Sequence, residues 1–343
     1  MKQLLNTMYV TSEDLYLALD GENVVVKRGD TIVHRRPLHT LQEIITFSYM
    51  GASPALMGAC AEKNIDLTFC KSSGKFLARV QGMTKGNVLL RRKQYRVADD
   101  PAACCEIARN MIYGKLYNCR SSIERTRRDH GLRVDTERLG DASMHLRKMA
   151  SSVQECLEPE TLRGMEGESA SIYFGVLNEM ILNQKDVFAF DVRNRRPPLD
   201  PVNAMLSFAY SLLEKSCASA LESVGLDAYV GFLHRDRPGR DSLALDLMEE
   251  LRPCMADRFV LTLINNRVMR ESDFEWQGSG AVRMTKGARD TFLKSWQEKK
   301  KETLTHPYLQ EKLEWGLVPY VQAMLLARYL RGDLDGYPPF LWK

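Results

Sequence analysis

Three segments between residues 165 and 253 carry side chains that can bind a divalent cation. They are Met165–Phe174, Gly231–Arg240 and Ser242–Pro253. Their candidate ligands are Glu166, His234 and the acidic residues of the third segment, Asp246 and Glu249 among them. Carboxylate oxygens suit Mg²⁺ and Mn²⁺, and an imidazole ligand inclines a site toward Mn²⁺. Together the segments predict a Mg²⁺ or Mn²⁺ site for metal-assisted phosphoryl transfer.

Glu166 stands at the head of an apolar helical face. Helical spacing from Glu166 reaches Ala170, Tyr173 and Leu177. A carboxylate aimed into a packed face costs free energy unless a cation compensates it. The alternative is that Glu166 lies in the first turn of the helix, where a carboxylate complements the helix dipole. Spacing alone favours this alternative.

The third segment places its acidic residues on one helical stripe. Ser242, Asp246, Glu249 and Glu250 share this stripe, opposite a broad apolar side. Asp246 and Glu249 are three residues apart, close enough on a helix to flank one cation. A solvated acidic face is the ordinary explanation of such a stripe, and the stripe alone favours it.

Arginines are dense around these segments. A lone histidine is usually structural, but three of these arginines follow His234 in a loop, and the guanidinium group matches the geometry of phosphate. The arginines that we predict to contact a nucleic-acid backbone are Arg195, Arg196, Arg235, Arg237 and Arg240.

The elements that must position these residues change in character along the chain. Short β-type runs separated by turns such as Asp20-Gly21 fill the first 80 residues, with one helix capped by Ser53. Helical periodicity dominates later, and Asp200-Pro201 predicts another helix start. The sequence therefore predicts an α+β fold. Its parts are a small N-terminal mostly-β domain (1–80), a basic linker (81–96) and a larger all-α-helical catalytic domain (97–343).

Composition is that of an ordinary globular protein. The chain has 343 residues, 44% of them hydrophobic, and a net charge of +4, too small to indicate nucleic-acid binding by itself. No secretion signal and no membrane-spanning apolar run is evident, so we expect a cytoplasmic protein. Eight scattered cysteines lack metal-ligand spacing and are expected to be reduced core residues.

Four motifs, which follow one another along the chain, resemble those of the CRISPR-associated integrases. These integrases are the catalytic subunit of adaptation and are numbered one among the CRISPR-associated families. The motifs are Glu166-Gly167, residues 195–204 (RRPPLDPVNA), residues 231–234 (GFLH) and residues 242–253 (SLALDLMEELRP). The final residues, 337–343 (YPPFLWK), are similar to those of the subtype I-C branch.

The resemblance implies a β domain followed by a helical domain, and a metal held by Glu166, His234 and Glu249. Many members have aspartate at the last position, which leaves Glu250 as a minor rival, and Asp246 matches a supporting acidic position. The family forms homodimers bridged by a small ferredoxin-like companion subunit. It inserts short duplex DNA segments into a repeat array, with a DNA 3′-hydroxyl as the nucleophile in a direct transesterification.

Two other functions stay open. The first is a standalone, structure-selective, metal-dependent DNA endonuclease that uses the same site with water as nucleophile. The second is a non-catalytic helical DNA-binding scaffold, which the retention of all three ligand types disfavours.

Overall fold

The chain divides into two compact units in the computed structural model. The described residues are 6–71, 76–80, 82 and 87–342. One unit comprises residues 1–85 with 289–301, and the other comprises residues 86–288 with 302–343. Strands dominate the first unit and helices the second, which confirms the predicted fold class. No helix in these described ranges is long and apolar enough to cross a membrane.

The first unit contains two sheets around one apolar core. Its strands are β1 (Asn6–Val10), β2 (Tyr16–Asp20), β3 (Asn23–Arg28), β4 (Thr31–Pro37), β5 (Leu41–Thr46), β6 (Asp66–Cys70) and β7 (Phe76–Val80). Strands β2, β3 and β4 form an antiparallel meander, and the other sheet has the order β1-β5-β6-β7. Because side chains alternate along a strand, residues such as Leu17, Val24, Val26, Ile44 and Leu67 share the core.

Local signals fix the turn and the helix of this unit. The hairpin between β2 and β3 turns at Gly21, which has a φ of 55° that glycine adopts at no steric cost. Helix α1 (Pro54–Lys63) begins where predicted, because Ser53 Oγ accepts a hydrogen bond from the Leu56 backbone N at 3.2 Å.

The second unit is mostly helical. Its helices are α2 (Val88–Ala98), α3 (Pro101–His130), α4 (Thr136–Glu155), α5 (Pro159–Gly175), α6 (Pro201–Ser223), α7 (Ser242–Leu251), α8 (Arg258–Asn265) and α10 (Val318–Arg331), and α9 (Lys286–Lys301) begins in this unit. Two ribbons depart from the predicted all-α character, namely β8 (Phe274–Trp276) with β9 (Val282–Met284) and β10 (Thr303–Thr305) with β11 (Lys312–Glu314). Most of α9, residues 289–301, groups with the first unit.

Helix α3 is the helix on which the site is built. It begins after Asp100, whose Oδ1 accepts hydrogen bonds from the Ala102 and Ala103 backbone N atoms, and it packs against α4, α5 and α7. Helix α6 begins at Pro201 as predicted, with Asp200 Oδ1 accepting from the Asn203 backbone N at 2.7 Å. Helix α3 is thus the shared packing partner of α4, α5 and α7, and α6 packs on α7.

Helix α2 occupies much of the segment for which the sequence predicts a linker (81–96), of which residues 81 and 83–86 lie outside the described residues. Asn87 caps the helix, and Leu90 and Val97 are buried. Buried Gln94 donates hydrogen bonds to two backbone carbonyls of the second unit. The boundary between the units therefore precedes this helix, whose exposed basic residues gave it the composition of a linker.

The cysteines are buried and free. The eight are Cys60, Cys70, Cys104, Cys105, Cys119, Cys156, Cys217 and Cys254. Burial raises the pKa of the Cys60 and Cys104 thiols to about 11, so both are protonated at neutral pH. The prediction of reduced core residues is confirmed.

Candidate metal centre

Asp246 is fully buried in α7 and anchors the loop that carries His234. Asp246 Oδ2 accepts hydrogen bonds from the backbone N of Phe232 at 2.6 Å and of Leu233 at 2.9 Å, and Oδ1 accepts from the backbone N of His234 at 2.9 Å. Gly231 permits this close approach, because a Cβ atom on it would lie 2.7 Å from Asp246 Oδ2. The short apolar run before His234 is thus folded around one carboxylate.

The same carboxylate orients the imidazole of His234. Nδ1 lies 2.6 Å from Asp246 Oδ1 and donates to it, since an ionised carboxylate can only accept. In the neutral ring, Nε2 then carries the lone pair. Histidines that bind metals commonly have such a carboxylate partner on the other ring nitrogen. The loop therefore presents a partly exposed imidazole whose Nε2 is available to a cation.

Lys115 of α3 joins Glu166 of α5 to Glu249 of α7. Its Nζ lies 2.7 Å from Glu249 Oε2 and also contacts Glu166 Oε1. The side chains of Lys115 and Glu249 are 6% and 3% exposed, and that of Glu166 is 28% exposed. Three helices thus converge on one ammonium group that lies between two carboxylates.

The charges of this cluster stabilise one another. Burial raises the pKa of Glu249, but Arg252, Lys115 and His234 together lower it more, so the pKa lies below its usual value. Burial lowers the pKa of Lys115, yet Glu249 and Glu166 outweigh burial and leave it raised. Glu249 is therefore ionised and Lys115 protonated at neutral pH.

A buried polar network supports Glu249 from behind. Arg252 Nη1 lies 2.6 Å from Glu249 Oε1, and its guanidinium carbon lies 4.4 Å from the centroid of the Tyr210 ring. Arg193 also stacks on Tyr210, at 5.2 Å, and the Tyr210 hydroxyl donates to Asp257. Arg252, which stacks on this ring, makes a charge-assisted contact that restricts where Glu249 can point.

The donor set fits a divalent cation in its chemistry. One imidazole nitrogen and two carboxylates are ligands that Mn²⁺ and Mg²⁺ accept. Glu249 Oε2 is buried and receives no hydrogen bond of normal geometry from the described residues, although Lys115 Nζ lies nearby. In this conformation no three acidic, histidine or cysteine side chains of the described ranges form a group able to hold one ion. Lys115 lies between the two carboxylates.

Two alternatives that the sequence favoured are wrong. Glu166 lies well inside α5, which begins at Pro159, so it is not in the first turn of its helix. The acidic stripe of α7 is not a solvated face, because Asp246, Glu249 and Glu250 are each at most 2% exposed. Packing of α7 against α3 and α6 covers that stripe.

Glu250, the minor rival of Glu249, binds the C-terminal segment instead. Its Oε1 accepts hydrogen bonds from Gln322 Nε2 at 2.9 Å and from the Tyr337 hydroxyl, and its Oε2 accepts from the Phe340 backbone N at 2.8 Å. Burial raises the pKa of Glu250 to about 7, although these hydrogen bonds lower it. Its two oxygens are committed to these three donors.

The five arginines predicted to contact DNA lie on two loops. They are Arg195, Arg196, Arg235, Arg237 and Arg240, of which only Arg240 is half-buried. Arg235 Nη2 lies 2.6 Å from Oε1 of Glu160 in α5, and Arg163 Nη1 donates to the Leu233 carbonyl at 2.7 Å. These contacts attach the His234 loop to α5, and the role of the arginines toward DNA stays a prediction.

Sequence patterns indicated neither Lys115 nor Arg252. Arg252 follows Glu249 by three residues, a spacing at which opposite charges pair on a helix. Lys115 falls between Met111 and Cys119 on the buried face of α3. A lysine among apolar positions was the signal available for it.

Comparison with known proteins identifies the chain. Residues 8–298 match the family model described as CRISPR associated protein Cas1. A curated relative from Rhodospirillum rubrum, CRISPR-associated endonuclease Cas1 2, is 51% identical over the whole of both chains. CRISPR-associated endonuclease Cas1 1 from Chlorobaculum tepidum is 46% identical, also over the whole of both chains.

Solved structures share the fold. A casposase bound to integration product has a TM-score of 0.84 at 22% identity, covering 99% of this chain and 95% of that one. The Cas6-RT-Cas1–Cas2 complex has a TM-score of 0.81 at 21% identity, covering 100% of this chain and 36% of that chain. By its family-model match and its full-length relatives, the chain belongs to the CRISPR-associated Cas1 family.

Proposed function

We propose that this protein is a metal-dependent DNA endonuclease and integrase of CRISPR adaptation, which inserts short DNA segments into a repeat array. The observation that carries the proposal is the arrangement around α7. Lys115 joins Glu166 to Glu249 of this helix, and Asp246 of the same helix orients His234. The curated relatives, which are named endonucleases, support it. The subtype I-C assignment rests on the similarity of residues 337–343.

Glu166, Glu249 and His234 Nε2 would hold the cation, Mg²⁺ or Mn²⁺. When bound, it supplies polarisation of a phosphoryl oxygen and stabilises negative charge in the transition state. Asp246 holds the imidazole in its tautomer and stays outside the ligand set, because its oxygens already accept four hydrogen bonds. Lys115 must leave its position between the carboxylates for the cation to enter.

The reaction needs no covalent enzyme intermediate. The 3′-hydroxyl oxygen of the incoming DNA attacks phosphorus at the edge of a repeat and forms a new phosphodiester bond. The attacking hydroxyl loses its proton to solvent. The bond from that phosphorus to the 3′ oxygen of the flanking strand breaks, and that oxygen takes up a proton, so that protons balance. Arg195, Arg196, Arg235, Arg237 and Arg240 would contact the DNA backbone, since guanidinium groups bind phosphate oxygens.

The working assembly we propose is a homodimer with a small ferredoxin-like companion subunit. One solved structure with this fold is a Cas6-RT-Cas1–Cas2 complex, and the proposal extends the Cas1–Cas2 pairing to this chain. Sedimentation of the purified chain with and without its companion tests it. A monomer that stays separate from the companion across the concentrations used for joining contradicts it.

The decisive experiment distinguishes the two possible nucleophiles. The purified protein and its companion are incubated with a labelled short duplex and a supercoiled plasmid that carries the cognate repeat. We expect the label to migrate with the plasmid under denaturing conditions, and a duplex blocked at both 3′ ends to give no joining. Cutting without label transfer would instead show that water is the nucleophile and that the protein is an endonuclease. His234→Ala is the control for contaminating nucleases.

A further inference from the structure

A polar cleft of about 330 Å³ lies at the C-terminal end of α3, within the second unit. Helix α3 contributes Ser122 and Arg125, helix α8 contributes Arg258 and Thr262, and the opposite wall includes Asn183. The volume is roughly ten times that of a water molecule in the liquid, so the cleft can admit a group of nucleotide size. Sites for apolar cofactors are lined mainly by hydrophobic side chains, and this cleft is not.

Two buried polar atoms in the lining have no hydrogen-bond partner among the described residues. They are Ser122 Oγ and Arg258 Nη1, and Ser122 as a whole is only 6% exposed. Leaving such groups unpaired costs about 1–3 kcal/mol each, and more where the group is charged. A guanidinium nitrogen can only donate, so the missing partner of Arg258 is a hydrogen-bond acceptor.

The charge around these atoms specifies an anion. Arg258 and Arg125 both lie over the Trp342 ring, at 4.3 and 5.8 Å from its centroid. Burial lowers the pKa of Arg258 to about 10, and the strongest effect of a neighbouring charge is repulsion from Arg125. Asp129 pairs with Arg125 at 3.4 Å. An anion between the two guanidinium groups would relieve their repulsion and accept the unpaired N–H.

We propose that this cleft binds a phosphate group of the DNA backbone. Arginine, serine, threonine and asparagine side chains are the usual donors to such phosphates, and all four line the cleft. The inference rests on the proposed function for its choice of DNA as the source of the phosphate.

We place one DNA strand along α3, between the metal centre and the cleft. Lys115, Ser122 and Arg125 lie on one stripe of α3, seven and ten residues apart. At 1.5 Å per residue, the cleft is about 10–15 Å from Lys115 along the helix. One strand of a duplex spans that distance in about three to five nucleotides. The bound phosphate therefore belongs to a nucleotide about three to five positions from the reacting bond.

The first test measures DNA binding rather than catalysis. Full-length protein, Arg258→Gln and the control Arg147→Gln, an exposed arginine of α4, are titrated with a labelled duplex in excess chelator. Salt is varied from about 50 to 200 mM, the range over which phosphate contacts lose affinity steeply. We expect Arg258→Gln to weaken binding about tenfold and to lower the salt dependence by about one phosphate, and Arg147→Gln to change neither.

Arg258 packs on Trp342, so Arg258→Gln alters the packing of the fold as well as the cleft. A second variant separates the effect on DNA binding from an effect on stability. Thr262→Glu places a carboxylate at the cleft from an exposed position, and we expect weaker DNA binding with an unchanged melting temperature. Unchanged affinity and salt dependence in both folded variants would refute the site.

The second test locates the phosphate. Single neutral methylphosphonates are placed along one strand, and their effects on affinity are measured in the wild type and in Arg258→Gln. We expect a methylphosphonate at one position, about three to five nucleotides from the reacting 3′ end, to weaken binding to the wild type. The same substitution should have no further effect on binding to Arg258→Gln. If no position couples to Arg258 while inorganic phosphate still stabilises only the wild type, the cleft is a site for free anions and the inference is wrong. Joining measured in parallel shows separately whether the proposed function holds.

Discussion

Glu249 and Glu250 are neighbours in sequence, and their surroundings give their carboxyl groups opposite pKa shifts. Arg252 and Lys115 outweigh the effect of burial at Glu249 and lower its pKa, whereas burial raises that of Glu250 to about 7. Glu249 contacts Lys115 and Arg252, and Glu250 accepts hydrogen bonds from Tyr337 and the segment after it. A helical wheel shows Arg252 three residues from Glu249 but cannot complete this distinction, because Lys115 beside Glu249 and Gln322 and Tyr337 beside Glu250 lie far away in sequence.

Alanine at each proposed ligand tests this assignment. We expect Glu166→Ala, His234→Ala and Glu249→Ala each to abolish joining and to retain most DNA binding, since phosphate contacts supply affinity separately. Glu168→Ala is the matched control, because Glu168 is exposed on the same helix as Glu166. Joining gels and anisotropy titrations measure the two properties. An active Glu249→Ala protein would show that the ligand on α7 is misassigned.

Glu250→Ala should act on stability instead. It removes the acceptor of three buried donors, and we expect the free energy of unfolding to fall by about 3 kcal/mol. Denaturant unfolding measures this loss. Glu250→Gln, which keeps one acceptor oxygen, is expected to lose less. A Glu250→Ala protein of wild-type stability would contradict the role of this residue in holding the C-terminal segment.

Lys115 gives a test that does not depend on catalysis. Lys115→Met leaves Glu249 and Glu166 without the ammonium between them, and we expect the metal-free protein to lose about 3 kcal/mol of stability. Mn²⁺ should then raise its melting temperature more than that of the wild type, because the ion replaces the lost charge without displacing a lysine. Lys148→Met, at an exposed position of α4, is the control. An equal Mn²⁺ effect on all three proteins would count against the cation position.

His306 gives the pH dependence a defined sign. Its Nδ1 accepts hydrogen bonds from the Tyr308 and Leu309 backbone N atoms, and its Nε2 donates to Gln322 Oε1 at 3.1 Å. Burial lowers its pKa, with the Gln322 contact opposing, so the folded protein holds the neutral ring. The unfolded chain takes up a proton near pH 6.5. The stabilisation that neutral His306 gives the folded state is therefore present above about pH 6.5, and it is lost as pH falls toward the pKa of the folded state.

The measurement is urea unfolding of the wild type and of His306→Gln at about pH 7.5 and pH 5. We expect the stability difference in favour of the wild type to shrink at the lower pH. A difference that is constant with pH would mean that the ring titrates equally in both states.

At the scale of elements, the close packing of α3 on α7 depends on Gly114. A Cβ atom there would lie 3.0 Å from Glu250 Cβ and 3.2 Å from Pro339 Cβ. We expect Gly114→Ala to destabilise the protein by about 1–3 kcal/mol. It should also weaken Mn²⁺ binding, because it displaces α7, which carries Glu249, relative to α5, which carries Glu166, and both helices pack on α3. Gly164→Ala in α5 meets no atom within 4 Å and should be neutral or stabilising. Thermal unfolding and calorimetric titration of Mn²⁺ compare the two variants.

The sequence predicted the elements that local chemistry determines. Ser53-Pro54 and Asp200-Pro201 start helices because a cap and a proline act within a few residues. The basic residues of α2 indicated a linker rather than a helix with a buried side. That side is evident only from the contacts of α2 within the helical unit. The three candidate ligands came from motifs, but Lys115 acquires its role from helices distant in sequence, which no local pattern records.

At the scale of the whole molecule, a net charge of +4 is too small for the overall electrostatic field to attract DNA strongly. DNA affinity then depends on local clusters of positive charge. We propose the exposed arginines of the two loops and the cleft beside Arg258 as such clusters. None of these arginines is a proposed metal ligand, although Arg235 directly follows His234. DNA binding and bond-making are thus assigned to different side chains of the same unit.

This separation predicts how the intact protein responds to metal removal. Stringent chelation should abolish joining, because Glu166, Glu249 and His234 cannot replace the charge that a divalent ion places beside the reacting phosphoryl group. DNA affinity should fall by no more than about threefold, since arginine contacts to phosphate do not require the ion. Added Mn²⁺ or Mg²⁺ should restore joining, and Glu249→Ala should not recover with either. The measurements are label transfer and anisotropy on the same samples. Full joining in excess chelator would end the metal hypothesis, and loss of DNA binding on chelation would show that the ion, rather than the arginines, holds the DNA.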